Sequence, residues 1–164
     1  MQKLNTDSSR ESILNAALMG VEFEFYSNID LEATKKSLAQ LLDRKIRLED
    51  KAHSDFQPSA EEFKIEPDMS GGKGLMELVT GPIPYRNARI MVNKVLDWIS
   101  KNGYTNDRAS IHINLSFDKK FLEDNSESIN GTIYLWEQQV GLTENEGQGH
   151  NTSNYVGGYA TRNL

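Results

Sequence analysis

Four side chains in this 164-residue chain have types and spacings suited to holding divalent cations: Glu22, Glu24, Glu77 and His112. Glu22 and Glu24 lie in MGVEFEFY, where apolar and polar residues alternate strictly. Val21, Phe23 and Phe25 therefore face one way, and Glu22, Glu24 and Tyr26 the other, as in a half-buried strand. Two residues along a strand is about 7 Å, too far for both carboxylates to share one ion head-on. The separation suits carboxylates flanking a pair of ions ~3.5 to 4 Å apart. Glu77, in GLMELVT, falls between Leu75 and Val79 on a face that is otherwise apolar there. A lone carboxylate among apolar neighbours is costly without a partner. His112 shares the polar side of ASIHINLSF with Ser110, Asn114 and Ser116. Hard oxygen ligands with one imidazole favour magnesium or manganese over a softer metal. The plainer alternative is that these carboxylates coat the solvated side of amphipathic strands and that His112 is an ordinary surface or core histidine.

The elements that must position these groups follow the order β-α-β-β-α-β. The first strand, residues 19–26, is followed by Asp30, a good N-cap. Leu31, Leu38, Leu41 and Leu42 then share one helical face. EFKIEP (residues 62–67) is a short strand ended by Pro67, and the breaker-rich EPDMSGGKG turns the chain. Residues 74–80 form a third strand closed by Gly81-Pro82. A long helix starts near Pro84, with Ala88, Met91, Val92, Val95 and Ile99 as its apolar stripe and Gly103 as its stop. Residues 109–117 are the fourth strand, with Ile111, Ile113, Leu115 and Phe117 on its apolar side. This order is the split-βαβ pattern, and right-handed crossovers place the first strand between the third and fourth. The expected fold class is α+β: one βαββαβ unit with a mostly antiparallel four-stranded sheet, both helices on one face. Phe23, Phe25 and the isoleucines of the last strand should meet those helices. Glu22, Glu24, Glu77 and His112 should converge on the other face.

Composition narrows the function. Charged residues make up 26% and hydrophobic ones 37%, which fits a globular chain with a single core. The absence of cysteine excludes disulfides, thiolate zinc sites and cysteine nucleophiles. A formal net charge of -6 argues against nucleic acid and anionic membranes as partners. No apolar run approaches the ~20 residues of a membrane span, and the N-terminal stretch does not have the form of a signal peptide. A cytoplasmic location is expected. The chain changes character near residue 118: residues 1–118 read as the folded domain. Residues 119–164 read as one short helix, with Ile133, Trp136 and Val140 on a face, and a polar Gly- and Asn-rich tail. Gly147-x-Gly149 and Gly157-Gly158 lack the following helix that a phosphate loop requires.

Three segments carry a family resemblance: GVEFEF, then PDMSGGKGLMELVTGPIPY, then SIHINLSFD. In this order they resemble the amidoligases, carboxylate–amine ligases of the group that includes glutamine synthetase and glutamate–cysteine ligase. With the KAHSDF segment, the text is most similar to members encoded by tailed phages, which would place the protein in a host cytoplasm. The resemblance covers about residues 18–118. It implies a glutamine synthetase-like sheet on which magnesium ions and basic groups hold ATP. A substrate carboxylate attacks the γ-phosphate, and an amine then displaces phosphate from the acyl phosphate to leave an amide or isopeptide bond. Carried over by motif, Glu22, Glu24 and Glu77 match metal ligands, and His112 matches a histidine that binds metal or phosphate. Asn114 stands where relatives often have a second histidine. Asp68 has a family-like Asp-x-Ser context and is a candidate contact to substrate or metal. His53 of KAHSDF is an outside candidate, with a surface-loop histidine the expected reading. The family's common core looks like two βαββαβ units, and this chain shows one, so the chain reads as half of such a core. An incomplete ligase, a homodimer or a second chain covering the open sheet face is therefore expected. Two other readings stand beside the ligase: a metal-dependent hydrolase using the same ligands, and a non-catalytic phage-related interaction protein. If this face is a metal site, replacing Glu22 and Glu24 by glutamine should abolish divalent binding and stabilise the metal-free chain by relieving repulsion; on a solvated surface the change should move stability by about half a kcal/mol or less.

Overall fold

The structure, a computed structural model, describes residues 12–70, 72–121 and 124. The chain divides into two compact units: Met19–Asn114, and Met1–Leu18 together with Leu115–Leu164. In the second of these, residues 12–16 are helical, and the Asp118 carboxylate accepts from the Lys120 and Phe121 N–H groups at 3.0 and 3.3 Å. The helix face of Ile133, Trp136 and Val140 and the tail glycines lie outside the described residues.

The sheet has seven strands among the described residues: β1 (Leu18–Ser27), β2 (Lys45–Leu48), β3 (Glu62–Pro67), β4 (Met76–Val79), β5 (Ile83–Pro84), β6 (Gly103–Tyr104) and β7 (Ile111–Ser116). Two helices interrupt them, α1 (Leu31–Leu42) after β1 and α2 (Tyr85–Asn102) after β5. The strand order is β2-β3-β4-β1-β5, with β6 and β7 also pairing with β1. The first strand thus lies between β4 and β7, as the crossover rule requires. The sheet is nevertheless mixed, and the expectation of a mostly antiparallel four-stranded sheet is corrected. β2 runs parallel to β3, whereas β3–β4, β4–β1 and β1–β6 are antiparallel. The cause is β2 itself. KIRL follows α1 after a two-residue turn at Asp43 and Arg44, and Asp43 takes the left-handed conformation (φ 52°) that ends the helix. The chain leaving α1 therefore enters a strand at once and reaches β3 only after a further loop.

One side of the sheet is the core. Phe23, Leu78 and Ile65 stand in register across β1, β4 and β3 and are buried. Phe25 meets the edge of the Trp98 ring from α2 at 5.8 Å, and the Trp98 indole N–H donates to Ser37 Oγ on α1 at 2.7 Å. Leu38 of α1 and Ala88, Met91, Val95 and Ile99 of α2 complete the buried layer. Asp30 caps α1 by accepting from the Ala33 N–H at 2.9 Å. Two expectations about this layer do not hold. Leu31, at the first turn of α1, is exposed, and on β7 Ile111 is exposed and Ile113 half-buried. Both lie at margins, Leu31 at a helix end and β7 beside the main strand path, where fewer neighbours reach.

Gly103 ends α2 in extended backbone, not in a left-handed stop. Its requirement is close approach: a Cβ there would lie 2.3 Å from the Tyr26 carbonyl oxygen, because β6 pairs directly with β1. No helix among the described residues is long and apolar enough to cross a membrane.

Candidate metal-binding face

The side of the sheet opposite the helices is polar, and the strand register sets its pattern. Glu24 of β1 stands opposite Glu77 of β4, which stands opposite Glu66 of β3. The next row is Glu22, Val79 and Lys64, with Arg47 of β2 beyond Lys64. Like charges directly opposite one another in a sheet are destabilising. A row of three carboxylates, each less than a tenth exposed, breaks the local rules of sheet construction.

Toward β7, Glu22 and Glu24 are tied down by hydrogen bonds. His112 Nδ1 lies 3.0 Å from Glu22 Oε2, and its Nε2 lies 3.8 Å from Glu24 Oε1. Ser110 donates from its N–H and its hydroxyl to the two oxygens of Glu24, at 2.9 and 2.8 Å. The Asn114 amide donates to Glu22 Oε1 at 3.2 Å. His112 has its pKa raised. The hydrogen bond to Glu22 is the largest cause, the charges of Glu24, Glu22 and Glu77 act in the same direction, and partial burial opposes them. The imidazole ring of His112 bridges the two strand carboxylates.

Toward β3 the environment is drier. Glu66, 3% exposed, accepts from the His53 and Ser54 N–H groups at 3.2 Å each and pairs with Lys64 Nζ at 2.7 Å. Lys64, also buried, donates in addition to the Ser54 hydroxyl and carbonyl. Burial would raise the Glu66 pKa, but the hydrogen bonds from Lys64, Ser54 and Glu77 outweigh it and hold the value below normal. Glu77 goes the other way, to about 8. Burial is the main cause, followed by the hydrogen bond it donates to Glu66 and the charges of Glu22, Glu66 and Asp68. Near neutral pH one proton therefore sits between Glu66 and Glu77. His53, Glu66 and Glu77 each present a ligand atom within 4.8 Å of the others.

The structure puts Glu22, Glu24 and His112 side by side with Asn114 and stands Glu77 opposite Glu24, but of the four candidate ligands only Glu77 belongs to the His53–Glu66–Glu77 group. Asp68 is spent mostly on its own turn, accepting from the Ser70 N–H at 2.7 Å, and reaches the site as a nearby charge. His53, expected as a surface-loop residue, is exposed and also stands at the cluster. Its backbone is left-handed (φ 53°), a local bend that turns the loop toward β3. Glu66 and Lys64 were not singled out from sequence. They alternate with Phe63 and Ile65 like any solvated strand face, and only the β3–β4 register reveals that Glu66 opposes Glu77.

Fold and site together define an α+β protein with an acidic, cation-competent sheet face. The family model described as "Putative amidoligase enzyme" matches residues 15–140, and the chain belongs to that family. Searches of curated proteins and of solved structures gave no match.

Proposed function

We propose that the chain is an ATP- and magnesium-dependent carboxylate–amine ligase working on the polar sheet face. The observation that carries this reading is the register row Glu24–Glu77–Glu66, flanked by Glu22 and His112. Three carboxylates in line on neighbouring strands are a poor way to build a sheet and a good way to hold hard cations. The donor set fits magnesium or manganese: carboxylate oxygens with an imidazole at each end, from His112 and His53. Glu66, Glu77 and His53 would hold one ion, Glu22 and His112 would serve a neighbouring one, and Glu24 stands in register beside Glu77 between the two groups. Bound there, the ions would neutralise the ATP phosphates and the charge that develops during phosphoryl transfer.

The residues of the chain itself have definite tasks. Ser110 and Asn114 orient the β1 carboxylates. Lys64 and the Ser54 N–H fix Glu66. Glu77, protonated near neutral pH, would give up its proton on binding a cation. In the reaction, a substrate carboxylate oxygen bonds to the γ-phosphorus as the bond to ADP breaks. The amine nitrogen then bonds to the acyl carbon, phosphate leaves, and the nitrogen loses a proton.

Calorimetric titration of magnesium–ATP into the wild-type chain and into Glu22→Gln/Glu24→Gln tests this reading. Nucleotide binding by the wild type that is lost in the variant is the expected result. Manganese binding with no nucleotide binding would favour a metal-dependent hydrolase. Binding of neither would contradict an enzymatic role for the chain alone.

A further inference from the structure

We propose that the stacked pair Tyr26–Tyr104 seats a nucleobase, so that the end of β1 beyond the carboxylates selects a nucleoside triphosphate over a bare polyphosphate. This inference rests on the nucleotide reading of the site given above. Tyr26 follows Glu22 and Glu24 at a period of two and so lies on the same face of β1. Tyr104 stands opposite Tyr26 in the β1–β6 register, and the rings stack with centroids 4.9 Å apart and planes 7° from parallel. Tyr26 is 9% exposed, whereas Tyr104 is 51% exposed. The pair therefore offers one open aromatic surface on a ring already backed by another ring.

The backbone holds that surface still. Gly103, immediately before Tyr104, is pressed against the Tyr26 carbonyl and its N–H is bonded to the Ile99 carbonyl at the end of α2. A rigid aromatic face is what a nucleobase needs, because stacking requires no hydrogen-bond code. The neighbourhood suits the rest of a nucleotide. Gly74, at φ +95°, packs beside the edge of Tyr26, and the Arg108 guanidinium reaches the loop at Gly72. Two residues along β1 from Tyr26, Ser110 lies beside Glu24, its carbonyl accepting from the Glu24 N–H. From Tyr26 to Glu22 is four residues of strand, about 13 Å. A base on Tyr104 would thus direct its phosphates along β1 toward Glu24 and Glu22. A tyrosine that merely shields Tyr26 would need neither this alignment with the carboxylates nor an open outer face.

The test compares magnesium–ATP with magnesium and inorganic tripolyphosphate, titrated calorimetrically into the wild type, Tyr104→Leu and Tyr104→Phe. Leucine keeps apolar cover over Tyr26 and removes the aromatic face; phenylalanine keeps both. The wild type should bind ATP more tightly than tripolyphosphate. Tyr104→Leu should lose roughly ten- to a hundredfold in ATP affinity and nothing in tripolyphosphate affinity, and Tyr104→Phe should match the wild type. Unchanged ATP affinity in Tyr104→Leu, or an equal loss of both ligands, would overturn the platform and leave the ligase reading intact. A wild-type chain that binds neither ligand would overturn both. Should Tyr104→Leu fail to fold, equal wild-type affinity for ATP and tripolyphosphate overturns the platform on its own.

Discussion

The two halves of the polar face solve the same problem in opposite ways. Each holds two carboxylates and a basic side chain: Glu22, Glu24 and His112 toward β7, and Glu66, Glu77 and Lys64 toward β3. On the β7 side His112 and Glu22 are partly open, 39% and 30% exposed at the side chain, while Glu24 beside them is buried. There the hydrogen bond to Glu22 raises the pKa of the base. On the β3 side Lys64 and Glu66 are 7% and 3% exposed, and one cation is shared among more charge than it can balance. There an acid, Glu77, keeps its proton. Burial is the main cause of the raised Glu77 pKa, whereas at His112 the hydrogen bond to Glu22 is the main cause and burial opposes it. The β3 side leaves a proton where a divalent cation would remove it.

The largest expected effect breaks the drier half. Lys64→Met leaves the buried Glu66 without its cation and should destabilise the chain by about 3 kcal/mol or more, measured by urea unfolding. The matching change on the open side, His112→Asn, should cost only about 1 kcal/mol, because water reaches Glu22. Equal losses would mean that the two halves are not as different as their burial indicates.

The next effect is on pH dependence. Glu77 has a folded value of about 8, above its ordinary 4.5, so the folded chain keeps a proton that the unfolded chain releases in this window. The stability it contributes is full below 4.5 and is lost as pH rises through 8. His112, also raised, acts with the same sign from 6.5 upward. Thermal melts of the metal-free chain from pH 5 to 9 should show falling stability. Glu77→Gln should remove most of that slope, and His112→Asn only its upper part.

Smaller still is the response to Glu22→Gln/Glu24→Gln. Repulsion alone predicts a more stable chain. With His112 and Ser110 already engaging both carboxylates, the double change should instead lower stability by about 1 kcal/mol, read from the same unfolding curves. Asn114→Ala, at an exposed hydrogen bond, should shift stability by about half a kcal/mol or less.

Much of this was legible in the sequence, and the rest was hidden for physical reasons. Strict alternation in MGVEFEFY and ASIHINLSF fixed which side chains share a face, and the crossover rule placed β1 between β4 and β7. Glu22, Glu24, Glu77 and His112 could be assembled from those two facts. β2 escaped because KIRL is four residues long and follows α1 almost without a turn, so it reads as a continuation of the helix. Its parallel pairing with β3 then escaped too. Glu66 and Lys64 were invisible as site residues because register, unlike alternation, is not written in a single strand. His53 reached the cluster through a left-handed loop residue, for which histidine gives only a faint signal.

The most direct test of the central claim is a manganese titration at pH 7, run calorimetrically in two buffers of different ionisation enthalpy. The account predicts binding with release of a proton from Glu77, and affinity that rises with pH by about tenfold per unit while that proton is displaced. Glu77→Gln should abolish that proton release and weaken binding. Manganese binding that releases no protons and is indifferent to Glu77→Gln, or no binding at all, would contradict it.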